Sequence, residues 1–517
     1  MGEQYLLGVD IGTYESKGVL TTARGKIVSA QVEPHRMLIP QQGWAEHDVE
    51  DVWWGDFVDI TRRLLAETGI SPTDIAGIAC SSIAPDVLPV DADCRPLRPG
   101  GILYGVDTRA ATEIVELEKA LGAGAIFAKN GNALSAQTTG PKILWLKRHE
   151  PEVYWKAHKF VTATSFMVAR LTGNYVIDQL TGSFSAPLYD FYKRTYDDSL
   201  TNEIVELERL PELRWSTEVA GTVTQTAAAQ TGLAAGTPVI VGTSDAAAEA
   251  VSAGVTSPRQ MMLMYGSTIF FIEVLDEPQT DERLWATPFL FEGTSALLAG
   301  MSTSGSLTRW LRDLTAMDLV RAEQGSTVGE QKSAYAELTE KAAQIPAGSE
   351  GLVVLPYFSG ERTPINDPRA RGVYFGLTLA HTRAHLYRAA LEGIGHGVRH
   401  HLDVMAEIGA FPEEVIAVGG GAKSELWLQV VSDICGVRQT VPAVVVGACY
   451  GDAFLAGLGA GLFESPSDIG QWLEQPRQVI PNEDLAERYD RYHEVYLQLY
   501  DRNKDLMHEL TALAGEY

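Results

Sequence analysis

Short apolar runs and amphipathic stretches alternate along the whole chain. Residues 5–9, 75–80, 160–163, 239–241, 261–264, 352–355 and 415–418 have the length and composition of buried strands. Between them, residues 51–68 set Val52, Trp53, Phe57, Ile60, Leu64 and Leu65 at helical spacing, and Arg383–Glu407 and residues 424–435 repeat that pattern. Small alanine runs at 227–230 and 246–248 fall within further helices, and the stretch from about Asp484 onward predicts a closing amphipathic helix. Strand and helix in steady alternation predict an α/β fold with largely parallel or mixed sheets.

One pattern occurs twice. Leu7-Gly8-Val9-Asp10-Ile11-Gly12-Thr13 leads through a glycine turn into a second β-like stretch at 18–22, and Met262-Leu263-Met264-Tyr265-Gly266-Ser267-Thr268 leads likewise into Ile269–Leu275. Two related domains are expected, with a boundary near 245–260. The division is residues 1–250, residues 251–480 and a terminal helix at 481–517. No Gly/Pro/Ser-rich linker marks the boundary, so the halves are expected to pack around a shared central cleft.

Composition narrows the partners. The chain has 517 residues, with 41 Lys plus Arg against 67 Asp plus Glu, a net charge of −26 that argues against nucleic acid and anionic membranes. A small molecule is the expected partner. At about 150 residues per domain, the length allows two large domains or three ordinary ones. Cys80, Cys94, Cys435 and Cys449 are scattered without Cys-x-x-Cys spacing, which predicts reduced thiols in a cytoplasm. Met1 runs directly into the first apolar stretch without a basic leader, and no secretory signal is expected.

Several segments could carry chemistry. Gly12 and Thr13 sit in a turn that can aim backbone N–H groups and a hydroxyl at a phosphate, with Lys17 in reach and Asp10 placed for Mg²⁺ or its waters. The bland alternative is a hairpin with an Asp–Lys surface pair. Gly419-Gly420-Gly421-Ala422, between a strand and a helix, offers bare backbone to a base, ribose or phosphate, or is simply a tight turn with Ser424 as helix cap. Asp245 opens an alanine-rich helix, either as its N-cap or as a general base held ionised by the helix dipole. The loop from Gly360 to Gly372, and Gly43-Trp44-Ala45-Glu46-His47-Asp48 with Asp107-Thr108-Arg109, either line a site or are solvated loops. Neither a Walker A pattern nor Gly-x-Gly-x-x-Gly is present.

The order of these segments resembles the FGGY carbohydrate kinases of the actin-like ATPase superfamily over nearly the whole length. Gly372-Val373-Tyr374-Phe375-Gly376-Leu377, then His385-Leu386-Tyr387-Arg388-Ala389-Ala390-Leu391-Glu392, is similar to that family's C-terminal signature. Lys142-Ile143-Leu144-Trp145-Leu146-Lys147-Arg148-His149 is similar to an earlier one, with Gln137 as a departure. The resemblance implies two ribonuclease-H-like (actin/Hsp70-type ATPase) domains that close on substrate, ATP and Mg²⁺ as cofactors, and a homodimer. It further implies a first phosphate motif at Gly12, Thr13 and Lys17, a second at Gly266, Ser267 and Thr268, an adenosine motif at Gly419, Gly420, Gly421 and Ala422, and Asp245 as catalytic base. Asp10 is the metal candidate. Trp44, Glu46, Asp86, Asp107, Arg109 and Asp245 are the substrate candidates.

The sugar is ranked by similarity to xylulokinases: a ketopentose such as D-xylulose first, then another ketose, a polyol, a sugar acid or a signalling carbohydrate. Where xylulokinases commonly carry Met-His, this chain has Ala84-Pro85, followed by Asp86, which would offer a new hydroxyl acceptor. A non-catalytic sugar sensor is the alternative of another class, and retention of Asp245 argues against it.

Overall fold

A computed structural model describes residues 3–324, 333–443 and 447–515. In the first part of the chain β1 (Tyr5–Ile11), β2 (Glu15–Thr22) and β3 (Ile27–Pro34) form an antiparallel meander, and β4 (Ile75–Ser82) runs parallel to β1 on its other side. The sheet continues through β6 (Pro238–Ile240) to β5 (Val219–Thr222), in the order β5-β6-β4-β1-β2-β3, and the short β7 (Thr243–Ser244) also pairs with β4. Helix α1 (Asp245–Ser252) follows directly. Leu7, Val9, Ile11, Ile78 and Cys80 pack with Trp53, Phe57 and Ile60 into the main core of this sheet.

The second sheet repeats the plan. Strands β8 (Gln260–Tyr265) and β9 (Ile269–Leu275) form a hairpin, β10 (Ser295–Met301) lies outside β9, and β11 (Glu414–Val418) runs parallel to β8. Beyond β11 come β12 (Gln439–Val441) and β13 (Arg477–Val479), giving the order β10-β9-β8-β11-β12-β13, with a seventh strand, Trp285–Pro288, paired outside β10. Helices α2 (Arg383–Glu407) and α3 (Glu425–Cys435) pack on each other. The apolar runs thus became the expected strands, each extended or trimmed by one or two residues, except at 160–163. There Val161 ends a strand and the Thr162 hydroxyl caps a helix that starts at Ala163. Residues 51–68 also differ: Val49–Gly55 winds as a wider π-helix before the regular helix Asp56–Thr68.

Two compact units result, and they are not contiguous in sequence. The first contains residues 1–258, 274–297 and 444–474; the second contains 259–273, 298–443 and 475–517. The change from a simple division near 250 has a packing cause. Helix α4 (Ala448–Gly459) lies on β1 and β4 of the first sheet and against α1. At Gly8 a Cβ would stand 2.0 Å from the Cys449 carbonyl oxygen, so the bare backbone of β1 is what admits α4 so closely. The closing helix α5 (Ala486–Ala514) is part of the second unit, where Tyr496 and Leu499 join Val353, Leu355 and Tyr357 in a core; the two final residues lie outside the described ones. Among the described residues no helix is long and apolar enough to cross a membrane, and all four cysteines are free thiols.

Candidate active site

The carboxyl ends of parallel strands are where open α/β sheets place their ligands. In the first unit β1 ends at Asp10-Ile11, β4 at Ser81-Ser82 and β7 at Thr243-Ser244. The ladder sets Asp10 opposite Ser81 and Ser81 opposite Thr243. Asp10 is buried, and its Oδ1 accepts from Ser81 Oγ at 3.0 Å; the same hydroxyl lies 2.7 Å from Oδ2 of Asp452 on α4. Burial pushes Asp10 up to about 6, against the opposing pull of Ser81 and Lys17.

Asp245 is the first residue of α1 rather than its cap. The Ser244 hydroxyl takes the N-cap role, accepting from Ala247 N, while Asp245 Oδ1 accepts from Ala246 N at 2.7 Å. The expectation of a carboxylate held ionised by the helix also changes. Burial, then the charge of Asp10, push Asp245 well above the usual carboxylate range, and its single backbone N–H partner does not offset them. Glu249, one turn farther along α1, is raised to about 7 by burial and Asp10. Asp245 remains partly accessible.

The turn after β1 is closed by Gly12 N donating to Glu15 O. Nε2 of His35 and Nε2 of His47 hold the carbonyls of Gly12 and Thr13, each at 3.0 Å, and Thr13 Oγ1 lies 3.2 Å from Tyr104 Oη. Lys17 pairs with Glu15 at 2.7 Å, so the hairpin does not carry an Asp10–Lys17 surface pair.

Four of the substrate candidates bind one another. Arg109 donates to Asp107 through Nε and Nη2 and to Glu46 Oε1 at 2.8 Å, its guanidinium lies 4.1 Å from the Trp44 ring centroid, and Asp107 also accepts from Ala45 N. Arg98 takes a further contact to Glu46. The side chains of Asp107 and Arg109 are fully buried, so this segment is a structural knot where hydroxyl-binding groups were expected. Nη1 of Arg109 stays buried without a partner. Asp86 accepts from Ala163 N at 2.8 Å through Oδ1, its Oδ2 has no partner, and burial raises it to about 8. Lys142, buried beside these acids, donates to the carbonyls of Leu103 and Tyr104, and burial lowers it to about 7.

In the second unit the Gly266-Ser267-Thr268 turn closes through Gly266 N to Thr268 O, and Ser306 donates to Ser267 O from both its backbone and its hydroxyl. Gly419 follows β11 with φ 89°, and a Cβ there would meet the Tyr265 carbonyl at 2.8 Å. Only glycine fits such a site without strain. Ser424 caps α3, so the tight-turn reading of this segment holds whatever the turn also binds. The Glu361-Arg362-Thr363 loop is anchored inward: Glu361 accepts from Ser302 N, and Thr363 Oγ1 accepts from Gly300 N and lies 3.1 Å from Gly300 O.

Comparison with known proteins rests on both units. Residues 5–252 match the model of the FGGY family of carbohydrate kinases, N-terminal domain, and residues 261–460 match the C-terminal domain of the same family. The chain belongs to the FGGY carbohydrate kinases. This kinase is 30% identical to a xylulose kinase of Escherichia coli over 97% of its own length and 99% of that protein. It is 26% identical to a gluconokinase of Bacillus subtilis, over 96% of this chain and 95% of that one. The crystal structure of a xylulose kinase from Rhodospirillum rubrum, 30% identical, matches with a TM-score of 0.90 over 98% of this chain and 100% of that one. The two-domain α/β fold and the class of enzyme, a sugar kinase, follow.

Ser81, Glu249, Asp452 and Lys142 stand in or beside this site, and sequence reasoning passed over them as functional groups. Asp452 had a visible signal. It is the one charge in Ala448–Gly459, a helix otherwise built of apolar and small residues, and a lone acid among such neighbours carries a desolvation cost that calls for a reason.

Proposed function

We propose that this kinase transfers the γ-phosphoryl group of ATP to a hydroxyl of a ketopentose of the D-xylulose type, with Asp245 as general base. The observation that carries the reading is the position of Asp245: first residue of α1, partly accessible, and raised above the usual carboxylate range by burial beside Asp10. A base poised nearer neutral pH can take the proton of an attacking hydroxyl, whereas an ordinary carboxylate is a weaker acceptor. Phosphoryl transfer otherwise asks for positioning and for charge neutralisation. Backbone N–H groups of the Gly12–Thr13 and Gly266–Thr268 turns would orient the phosphates, and the glycine run from Gly419 to Ala422 would take the nucleoside.

The donor set fits Mg²⁺. Asp10, Asp245 and Glu249 offer hard carboxylate oxygens, held above the usual carboxylate range by burial and, at Asp245 and Glu249, by the charge of Asp10. Among the described residues no group of three or more His, Cys, Asp or Glu is set to hold an ion. Mg²⁺ commonly takes only one or two carboxylates with water and substrate phosphate, so Asp10 is the residue that would hold it or its waters. When bound, the ion would neutralise charge on the transferring group.

The ketopentose reading is supported by the xylulose kinases among the relatives. A sugar acid is the second reading, favoured by the gluconokinase relative. Sugar-dependent ADP release should be measured over ketopentoses, ketohexoses, polyols and sugar acids, with Asp245→Ala beside the wild type. A strong ketopentose response, lost in the variant, is expected. A strong response to an aldonic acid alone would move the substrate to the second reading, and wild-type turnover in Asp245→Ala would remove it as the base.

A further inference from the structure

β7 leads into Asp245 and α1 on only two residues, Thr243 and Ser244, so its ladder to β4 is short. Side-chain contacts hold it in place. The helix Ala163–Thr172 starts beside both strand ends, and its second residue, Thr164, touches each of them. Thr164 Oγ1 donates to Thr243 O at 3.0 Å and lies 2.7 Å from Ser82 Oγ, while Thr164 N donates to that same Ser82 Oγ at 3.1 Å. The Thr243 hydroxyl in turn donates to Asp178 Oδ2 at 2.9 Å. Ser82, Thr164, Thr243 and Asp178 are all buried.

The proton directions follow from the groups themselves. A carbonyl oxygen can only accept, so the one proton of the Thr164 hydroxyl goes to Thr243 O. Ser82 must then donate to Thr164 Oγ1 while it accepts from Thr164 N. None of these three assignments depends on the charge of an acid. We infer that Thr164 is a positioning residue for phosphoryl transfer: it ties the end of β4 to the two-residue strand that leads into Asp245, and so sets where that carboxylate meets the sugar hydroxyl. Ser82 follows Ser81, the ladder partner of both Asp10 and Thr243, so the tie also fixes the Asp245 strand relative to the one bearing Asp10. A base must stand within hydrogen-bond reach of the proton it takes, and a displacement of about 1 Å can cost about 10²-fold in rate. The inference rests on the reading of Asp245 as base proposed above.

Thr164→Val keeps the shape and removes the hydroxyl, whereas Thr164→Ser keeps the hydroxyl. With Mg²⁺-ATP and D-xylulose, or the sugar that replaces it in the panel above, Thr164→Val should lower kcat about tenfold or more and leave the KM for ATP within about threefold. Thr164→Ser should stay within about threefold of wild type in both. On top of Asp245→Ala, Thr164→Val should change turnover by less than about threefold, because a residue that acts through Asp245 then has nothing left to aim. In ligand-free protein, amide hydrogen exchange over residues 243–247 should quicken about tenfold in Thr164→Val and not in Thr164→Ser. Thermal melts check folding, and Ser82→Ala, which breaks the same tie from the β4 side, carries the test should Thr164→Val not fold. Wild-type turnover in Thr164→Val would overturn the inference, as would unaltered exchange, a Thr164→Ser enzyme as damaged as Thr164→Val, or the full loss repeated on top of Asp245→Ala. Wild-type turnover in Asp245→Ala would instead remove the base, with the exchange rates still reporting whether Thr164 holds the strand before it.

Discussion

The β1–β2 hairpin with its parallel neighbour β4, and the β8–β9 hairpin with its neighbour β11, correspond position for position. Asp10 lies between Lys17 and Ser81 as Met264 lies between Phe270 and Val418, and Gly12 turns the first hairpin where Gly266 turns the second. One frame therefore carries a buried acid and hydroxyl in the first unit and apolar side chains in the second. Val418 gains by burial there and half-buried Met264 gains in part, whereas Asp10 and Ser81 pay desolvation and need partners. The difference teaches that the first strand ends are built to handle charge. In the second repeat the special demand falls instead on backbone just past the strand end, at Gly419, where only a glycine fits beside the Tyr265 carbonyl.

The largest expected effect breaks the first side of this comparison. Asp245→Ala should lower turnover by about 10³-fold, within the range of general-base contributions, while nucleotide affinity by titration stays within about threefold. Equal loss of nucleotide binding would mean that the first unit's acids hold the nucleotide rather than act on the sugar. Asp10→Asn should come next, with about 10²-fold weaker Mg²⁺ dependence. The second side is tested by Gly419→Val, which puts a β-branched side chain at φ 89° against the Tyr265 carbonyl. It should raise the KM for ATP about tenfold with kcat little changed and cost about 1–3 kcal/mol of stability, read from thermal or denaturant melts. A fall in kcat with an unchanged KM would place the second repeat's turn in the chemical step and erase the contrast.

Local pattern was legible where one segment fixes its own environment. The apolar runs at 5–9 and 261–264, each leading within a few residues to a glycine turn, predicted both hairpin-bearing sheets because buried strands and tight turns have short-range signatures. What depends on partners far along the chain was not. Ser81 and Asp452 meet across 371 positions, and no spacing rule links them. Trp44, Glu46, Asp107 and Arg109 have the residue types of a sugar site, yet sequence alone does not show that their charges cancel within the chain. The return of 444–474 to the first unit was hidden for the same reason: it depends on α4 fitting over Gly8.

The smallest expected effect concerns pH and asks how the cost of buried acids is shared between the units. In the fold, burial raises Asp86 and Glu273 to about 8 and Glu249 and Glu361 to about 7, and holds Asp245 and Asp452 well above the ordinary range. Unfolded, all six ionise near pH 4, so above that the native state binds more protons than the unfolded one and stability falls as pH rises toward the folded pKa values. Buried histidines oppose this at lower pH. His47, lowered to about 4, His401, lowered to about 3, and His396 stay neutral in the fold, so their contribution grows with pH and is complete by about pH 7. Lys142, lowered to about 7, continues to oppose above that point, one group against several. Ligand-free protein should therefore lose about 1–3 kcal/mol between about pH 7 and 8.5, seen as a falling melting temperature. Asp452→Asn should make that decline shallower by removing one acid of the first unit, and Glu273→Gln by removing one of the second. A flat profile in wild type would mean that these acids ionise in the fold.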